Sequence, residues 1–318
     1  RQDDSASPID FDALPGVDVD VPALYGNSQI SQEFQLLVDA GALNAMVGFY
    51  YLSAQADTAF DVRLFTTLNG LTAFTNAQVD TETYAVFGDF TFDFSDQLSL
   101  SLGGRYTWDE RTAKILRQNY LGGGSPVFGG AGALFGAPST NFTGQRSFNK
   151  FTPRASLSFK PTPDHNIYVS FSQGFKGGGF DPRGVGVNAP DSNGNGVRED
   201  SEIAAFLGFR PESVDSYEIG YKASLFDRRL SLALAAFRMD YSDVQIPGSS
   251  GCVVNGIATF CGVITNAGKA RFQGLELEAT ARVGDALTLS GALGYIDAEY
   301  KEYITQIAGR GPVDVAAF

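Results

Sequence analysis

One histidine, one tryptophan, two cysteines and two methionines are all that 318 residues supply of those types. The single histidine, His165, follows Pro163-Asp164 and reads as a solvated turn residue. One imidazole cannot build a histidine metal centre, and it leaves Ser–His hydrolysis without support. Two cysteines, Cys252 and Cys261, are too few for a thiolate metal site. Basic residues are also short, 23 against 36 acidic, for a net charge of −13. Nucleic acid is thereby excluded as a partner, since its binders need a basic face. Long apolar runs are missing too. The best, Gly41 to Ala56, is interrupted by Asn44, Gly48, Ser53 and Gln55, so no helix is expected to cross a bilayer.

What is present is alternation. From Leu275 to Val283, Leu275, Leu277, Ala279, Ala281 and Val283 oppose Glu276, Glu278, Thr280 and Arg282. After a turn from Gly284, Leu287, Leu289, Leu293 and Tyr295 continue the same period of two. Gln97–Asp109, Pro153–Lys160 and Ser216–Leu225 repeat it, each with one apolar face and one polar or charged face. In Leu230–Tyr241 the apolar parity changes after Leu234, and a bulge near Ala235–Ala236 is expected to keep Phe237, Met239 and Tyr241 on the apolar side.

The connections alternate as well. Short turns lie at Ser95-Asp96, Pro161–Asp164, Phe226–Arg228 and Gly284-Asp285. Long irregular stretches lie at about Thr112–Arg146, Phe180–Glu212 and Pro247–Thr265. Structureless loops of that length are uncommon in a compact soluble domain, whereas short turns at one rim and long loops at the other describe an outer-membrane barrel. Aromatics at 13% of the chain, many near strand ends, suit interfacial girdles. The fold class expected is all-β: part of a transmembrane antiparallel barrel, with about ten long up-and-down strands. Residues 1–318 read as one internal piece of a barrel of about 22 strands, with signal peptide, plug and closing strands outside it.

Three segments in order, FTPRASLSFKPTPDHNIYVSFSQGFKGGGF, ESVDSYEIGYKASLFDRRLSLALAAFRMDYSDVQ and NAGKARFQGLELE, resemble the barrel of TonB-dependent outer-membrane receptors. The resemblance covers about Gln32 to Tyr300. It implies a plugged barrel in the outer membrane of a Gram-negative bacterium. Such a barrel captures a scarce small molecule, for example an iron chelate, cobalamin or a glycan, and imports it with energy from the inner-membrane TonB complex. The plug and the coupling box that would contact that complex have no counterpart in this sequence. The alternatives are a passive porin-like channel and a surface β-protein used in adhesion; an enzyme is not expected. With the short turns periplasmic, the lumen receives Arg105, Arg154, Lys160, Glu218, Lys222, Glu276 and Glu278.

Two further features carry chemistry. DSNGNGVREDSE fits the calcium-loop pattern D-x-[DN]-x-[DN]-G-x5-E. Asp191, Asn193, Asn195, the Val197 carbonyl and Glu202 are its expected ligands for a structural Ca2+. An Asp/Asn/Gly surface loop without an ion has the same composition. Cys252 and Cys261 fall in one outer loop, where an oxidising environment favours a disulfide contributing about 2–3 kcal/mol. Gly177-Gly178-Gly179 reads as a strand end or bulge rather than a phosphate loop.

Overall fold

A computed structural model describes residues 2–10, 19–65, 70–254, 256–307 and 311–317. Ten long strands follow one another: β2 (Ala23–Ala40), β3 (Leu43–Arg63), β4 (Thr72–Asp93), β5 (Leu98–Leu121), β6 (Ala133–Thr162), β7 (His165–Lys176), β8 (Glu212–Leu225), β9 (Leu230–Val254), β10 (Ile257–Val283) and β11 (Leu287–Ile307). Short strands β1 (Gln2–Ala6) and β12 (Gly311–Asp314) flank them, giving one 12-stranded sheet in which each strand pairs antiparallel with its chain neighbours. Among the described residues, β1 and β12 each pair on one side only.

The alternation fixes which face meets lipid. Phe34 and Leu36, Phe49, Val86 and Phe90, Leu102, Leu157, Ile219, Leu275 and Leu293 are exposed large apolar side chains on one face of the sheet. An exposed apolar surface of this extent would be a liability in water and is what a bilayer requires. On the same face, about nine to eleven residues from the short turns, Tyr51, Tyr84, Trp108, Phe151, Tyr217 and Tyr295 mark the outer edge of the lipid belt. Tyr51 and Tyr84 lie 5.1 Å apart between ring centroids, and Tyr106 and Trp108 4.6 Å. The short turns are tight: Phe226, Asp227 and Arg228 all adopt positive φ, at 54°, 55° and 63°.

Two expectations are corrected. First, most of the supposed long loops are strand. β5 and β6 run on to Leu121 and back from Ala133, and β9 and β10 pair as far as Val254 and Ile257. Residues 122–132 and 177–211 remain largely irregular, the latter with one α-helix, α1 (Asp200–Leu207). Beyond the membrane both faces are wet, so alternation no longer distinguishes them and the sequence signal disappears. Second, there is no bulge at Ala235–Ala236. The β8–β9 register is continuous from Leu225↔Leu230 to Ser213↔Ser242, and the irregularity falls between Tyr241 and Gln245. Phe237, Met239 and Tyr241 therefore share the inner face with Glu218 and Glu276. There Phe237 lies over Gly274, and Tyr241 packs edge-on to Phe272 at 5.3 Å.

Candidate functional site

The inner wall is polar where the lipid face is apolar. Arg105, Arg154, Glu218, Lys222, Glu276 and Glu278 all fall on the inner parity of their strands. Arg154 pairs with Asp89 and stacks beside Gly103, and Arg105 lies over the Tyr50 and Phe87 rings, 4.9 and 5.5 Å from their centroids. Tyr168 lies across Gly220, where any side chain would collide with it. It donates to Glu218 at 2.5 Å, while Lys222 sits 5.6 Å from its ring centroid.

The mouth above this wall holds the apolar core of the molecule. Ala77, Ala113, Ile115 and Phe142 continue the inner face of β4–β6, and Phe180, Ala189, Ile203 and Leu207 of the 177–211 segment pack onto them. The segment is thus folded into the lumen against the wall, and we call it the luminal loop. Polar contacts hold it there. Thr140 donates to the Gly184 carbonyl at 3.0 Å and accepts from the Gly186 amide at 2.8 Å. Arg117, on β5, donates to the Arg183 carbonyl. Its burial pushes the guanidinium down to about 10, against the opposing pull of Asp181. Arg183 forms a two-pronged pair with the buried Asp181 at 2.9 and 3.0 Å. At the base of the loop, Gln245 donates to the carbonyls of Gly177 and Arg210, both at 3.0 Å, and Asn266 bonds the Arg210 amide and carbonyl at 2.6 and 2.8 Å.

Over residues 5–315 the chain matches the family described as TonB dependent receptor-like, beta-barrel. It is a member of that family. Among curated relatives it is 30% identical over 156 residues to the metal-pseudopaline receptor CntO of Pseudomonas aeruginosa, covering 49% of this chain and 18% of CntO. It is 24% identical over 290 residues to the "Probable TonB-dependent siderophore receptor PiuA" of Acinetobacter baumannii, covering 88% of this chain and 33% of that one. Its fold is similar to that of the ferric yersiniabactin uptake receptor FyuA from Yersinia pestis. The TM-score is 0.67 at 20% identity, with 90% of this chain and 38% of FyuA covered. The chain thus spans a third or less of these curated relatives. The family match assigns residues 5–315 to the barrel of the outer-membrane TonB-dependent receptor-like family, and the likeness to FyuA shows the same fold.

Within this receptor wall the sequence-derived candidates separate into two places. Cys252 and Cys261 form the disulfide, with Cα atoms 5.8 Å apart, near the tip of the β9–β10 hairpin. Asp191, Asn193, Asn195, Val197 and Glu202 lie in the luminal loop, where the side-chain oxygens of Asp191, Asn193, Asn195 and Glu202 accept from protein donors. Asp191 accepts from the amides of Gly194, Asn195 and Gly196 and pairs with Arg198 at 3.2 Å. The Asn193 and Asn195 side-chain oxygens accept from the Asn195 and Val197 amides. Glu202 is the third residue of α1 and forms a capping box with Glu199. It also accepts from the amide and hydroxyl of Ser192, both at 2.6 Å, and these bonds hold its carboxyl down to about 2. The Asp191, Asn193, Asn195 and Glu202 oxygens among these are the ones the calcium spacing assigns to an ion.

His165 stands at the opposite rim, bonded to Tyr221 at 2.6 Å and stacked on its ring. The residues that sequence reasoning passed over are Arg117, Asp181, Arg183, Gln245 and Asn266. Asn266 opens the segment NAGKARFQG, and it lies within β10 beyond the lipid-facing stretch, where a polar residue carries no periodic signal of its own.

Proposed function

We propose that this barrel wall serves an energy-dependent importer of a small metal chelate such as a siderophore complex. The observation that carries the reading is the luminal loop, packed over the inner wall and held there by Arg117, Thr140, Gln245 and Asn266, a cover that a passive channel does not require. The metal-pseudopaline and siderophore receptors among the relatives support a metal-chelate substrate over cobalamin or a glycan. Energy would come from the inner-membrane TonB complex, acting through parts of the receptor outside this chain. The test is uptake of radiolabelled ferric and nickel chelates by cells carrying the full-length receptor, with and without a protonophore. Accumulation that stops when the proton gradient is collapsed supports the reading. Entry that persists would return the protein to the porin-like alternative.

A further inference from the structure

The tip of the β9–β10 hairpin touches the luminal loop through the residue that follows the disulfide. The Gly262 amide donates to the Arg183 carbonyl at 3.2 Å, and this is the same carbonyl that accepts from Arg117 on β5. One oxygen therefore joins three parts of the mouth: barrel wall, luminal loop and hairpin tip. The fit is close. A Cβ at Gly262 would collide with the Arg183 side chain, although Gly262 holds no positive φ, so only the neighbour forbids a larger residue there. Asn188, further along the loop, approaches the Cys261 sulfur with its amide nitrogen at 4.0 Å. Cys261 is aligned with Ser250 and Cys252 with Thr259, so the disulfide crosses the hairpin diagonally and holds both strands at the height of these contacts.

We propose that the Cys252–Cys261 disulfide fixes the luminal loop in place, so that the thiol–disulfide state of the hairpin tip regulates the receptor mouth. Reduction by a small dithiol breaks the S–S bond with two electrons and two protons, leaving two cysteine thiols and a cyclic disulfide on the reagent. A hairpin tip freed of its cross-link frays at its ends, where pairing is least supported. Gly262 then leaves Arg183, and Arg117 keeps only its own half of the joint. The effect on ligand entry rests on the import reading above, but the position of the loop can be measured without it.

The experiment is hydrogen exchange of the full-length receptor in detergent, followed by mass spectrometry of peptides covering residues 181–207. Three forms are compared with the oxidised wild type: the dithiol-reduced wild type, the Cys252→Ser/Cys261→Ser double variant, and Gly262→Val with its disulfide intact. Exchange in residues 181–207 is expected to rise several-fold in all three, with β5 residues 98–110 unchanged. The reduced wild type needs no refolding, and the double variant covers a disulfide that resists the reagent. Faster exchange confined to the hairpin tip, with the luminal loop as protected as before, would overturn the proposal. Uptake of ferric chelate measured in parallel separates the two ideas, since loss of loop protection stands whether or not the receptor imports that substrate.

Discussion

Gln245 reaches from β9 to donate to the Gly177 carbonyl at 3.0 Å, and with the same amide group it meets the Arg210 carbonyl at 3.0 Å. Those two carbonyls are where the luminal loop leaves β7 and where it returns towards β8. A single buried side chain thus closes the loop at its base. Gln245→Ala takes the donor from the Gly177 carbonyl and leaves the Arg210 carbonyl to Asn266 alone, and is expected to cost about 1–3 kcal/mol of local stability. Limited proteolysis should then cut within residues 177–211 while the barrel stays heat-modifiable. Gln245→Glu should be worse, because it replaces the donor by a charge facing carbonyl oxygens. Protease resistance equal to wild type in both variants would show that the base is held elsewhere.

Gly220 and Tyr168 form a second matched pair. Gly220→Val would push the ring off its bonds to Glu218 and Lys222 and cost about 1–3 kcal/mol through overpacking. The same substitution in a Tyr168→Ala background should cost far less. Folding free energies of the four proteins in lipid vesicles provide the cycle; additive costs would mean the two sites do not touch.

The lipid face can be tested at adjacent residues. Leu100 aligns with Phe92 and Leu157 on the apolar face, whereas Ser101 bonds Thr91 at 2.8 Å on the inner one. Leu100→Arg is expected to cost membrane folding more than the roughly 0–1 kcal/mol of an interfacial charge, up to the ~2–4 kcal/mol of a midplane one, and Ser101→Arg much less. Equal losses from the two variants would show the register to be shifted.

Acid should loosen the luminal loop late. Because the Glu202 carboxyl is depressed to about 2 by its Ser192 and Glu199 bonds, its contribution is complete above the unfolded value of 4.5 and disappears as pH falls through about 2. Pepsin cleavage near Ser192, normalised to a Glu202→Ala variant, should therefore rise only between those two values. A rise that begins near neutrality would contradict the assignment.

Calcium at millimolar concentration is expected to leave the protease pattern of residues 191–202 unchanged, since Arg198 already neutralises Asp191 and amide donors already fill Glu202. Protection that appears with calcium, vanishes with chelator and is lost in Glu202→Gln would support the ion-binding reading of the spacing.

Sequence alone served best where lipid enforces it. Leu98, Leu100 and Leu102, or Leu275 and Leu277, declare their face because a polar residue there would be costly. The periplasmic turns were legible for the same reason, being the points where alternation stops and restarts. Phe237, Met239 and Tyr241 misled because a receptor lumen also accepts aromatic and apolar residues, provided a glycine such as Gly274 makes room. The calcium spacing is ambiguous for a different reason. Alternate oxygens suit amide donors as well as a cation, and Asp191 meets the amides of Gly194, Asn195 and Gly196. Gln245, Asn266 and Arg183 were invisible because each acts on backbone groups far away in sequence, and no local pattern records a distant carbonyl.

The length of the strands has a consequence for recognition from outside the cell. β6 has 30 residues, which at about 3.3 Å each and a tilt near 45° rise roughly 70 Å, against an apolar band of about 25 Å. The greater part of β6, with the strands it pairs along that length, therefore stands clear of the bilayer as hydrogen-bonded sheet. An antibody approaching the cell meets side chains drawn from adjacent strands rather than a supple peptide. Sera raised against linear fragments of residues 133–146 or 247–265 should bind the denatured chain and miss the living surface.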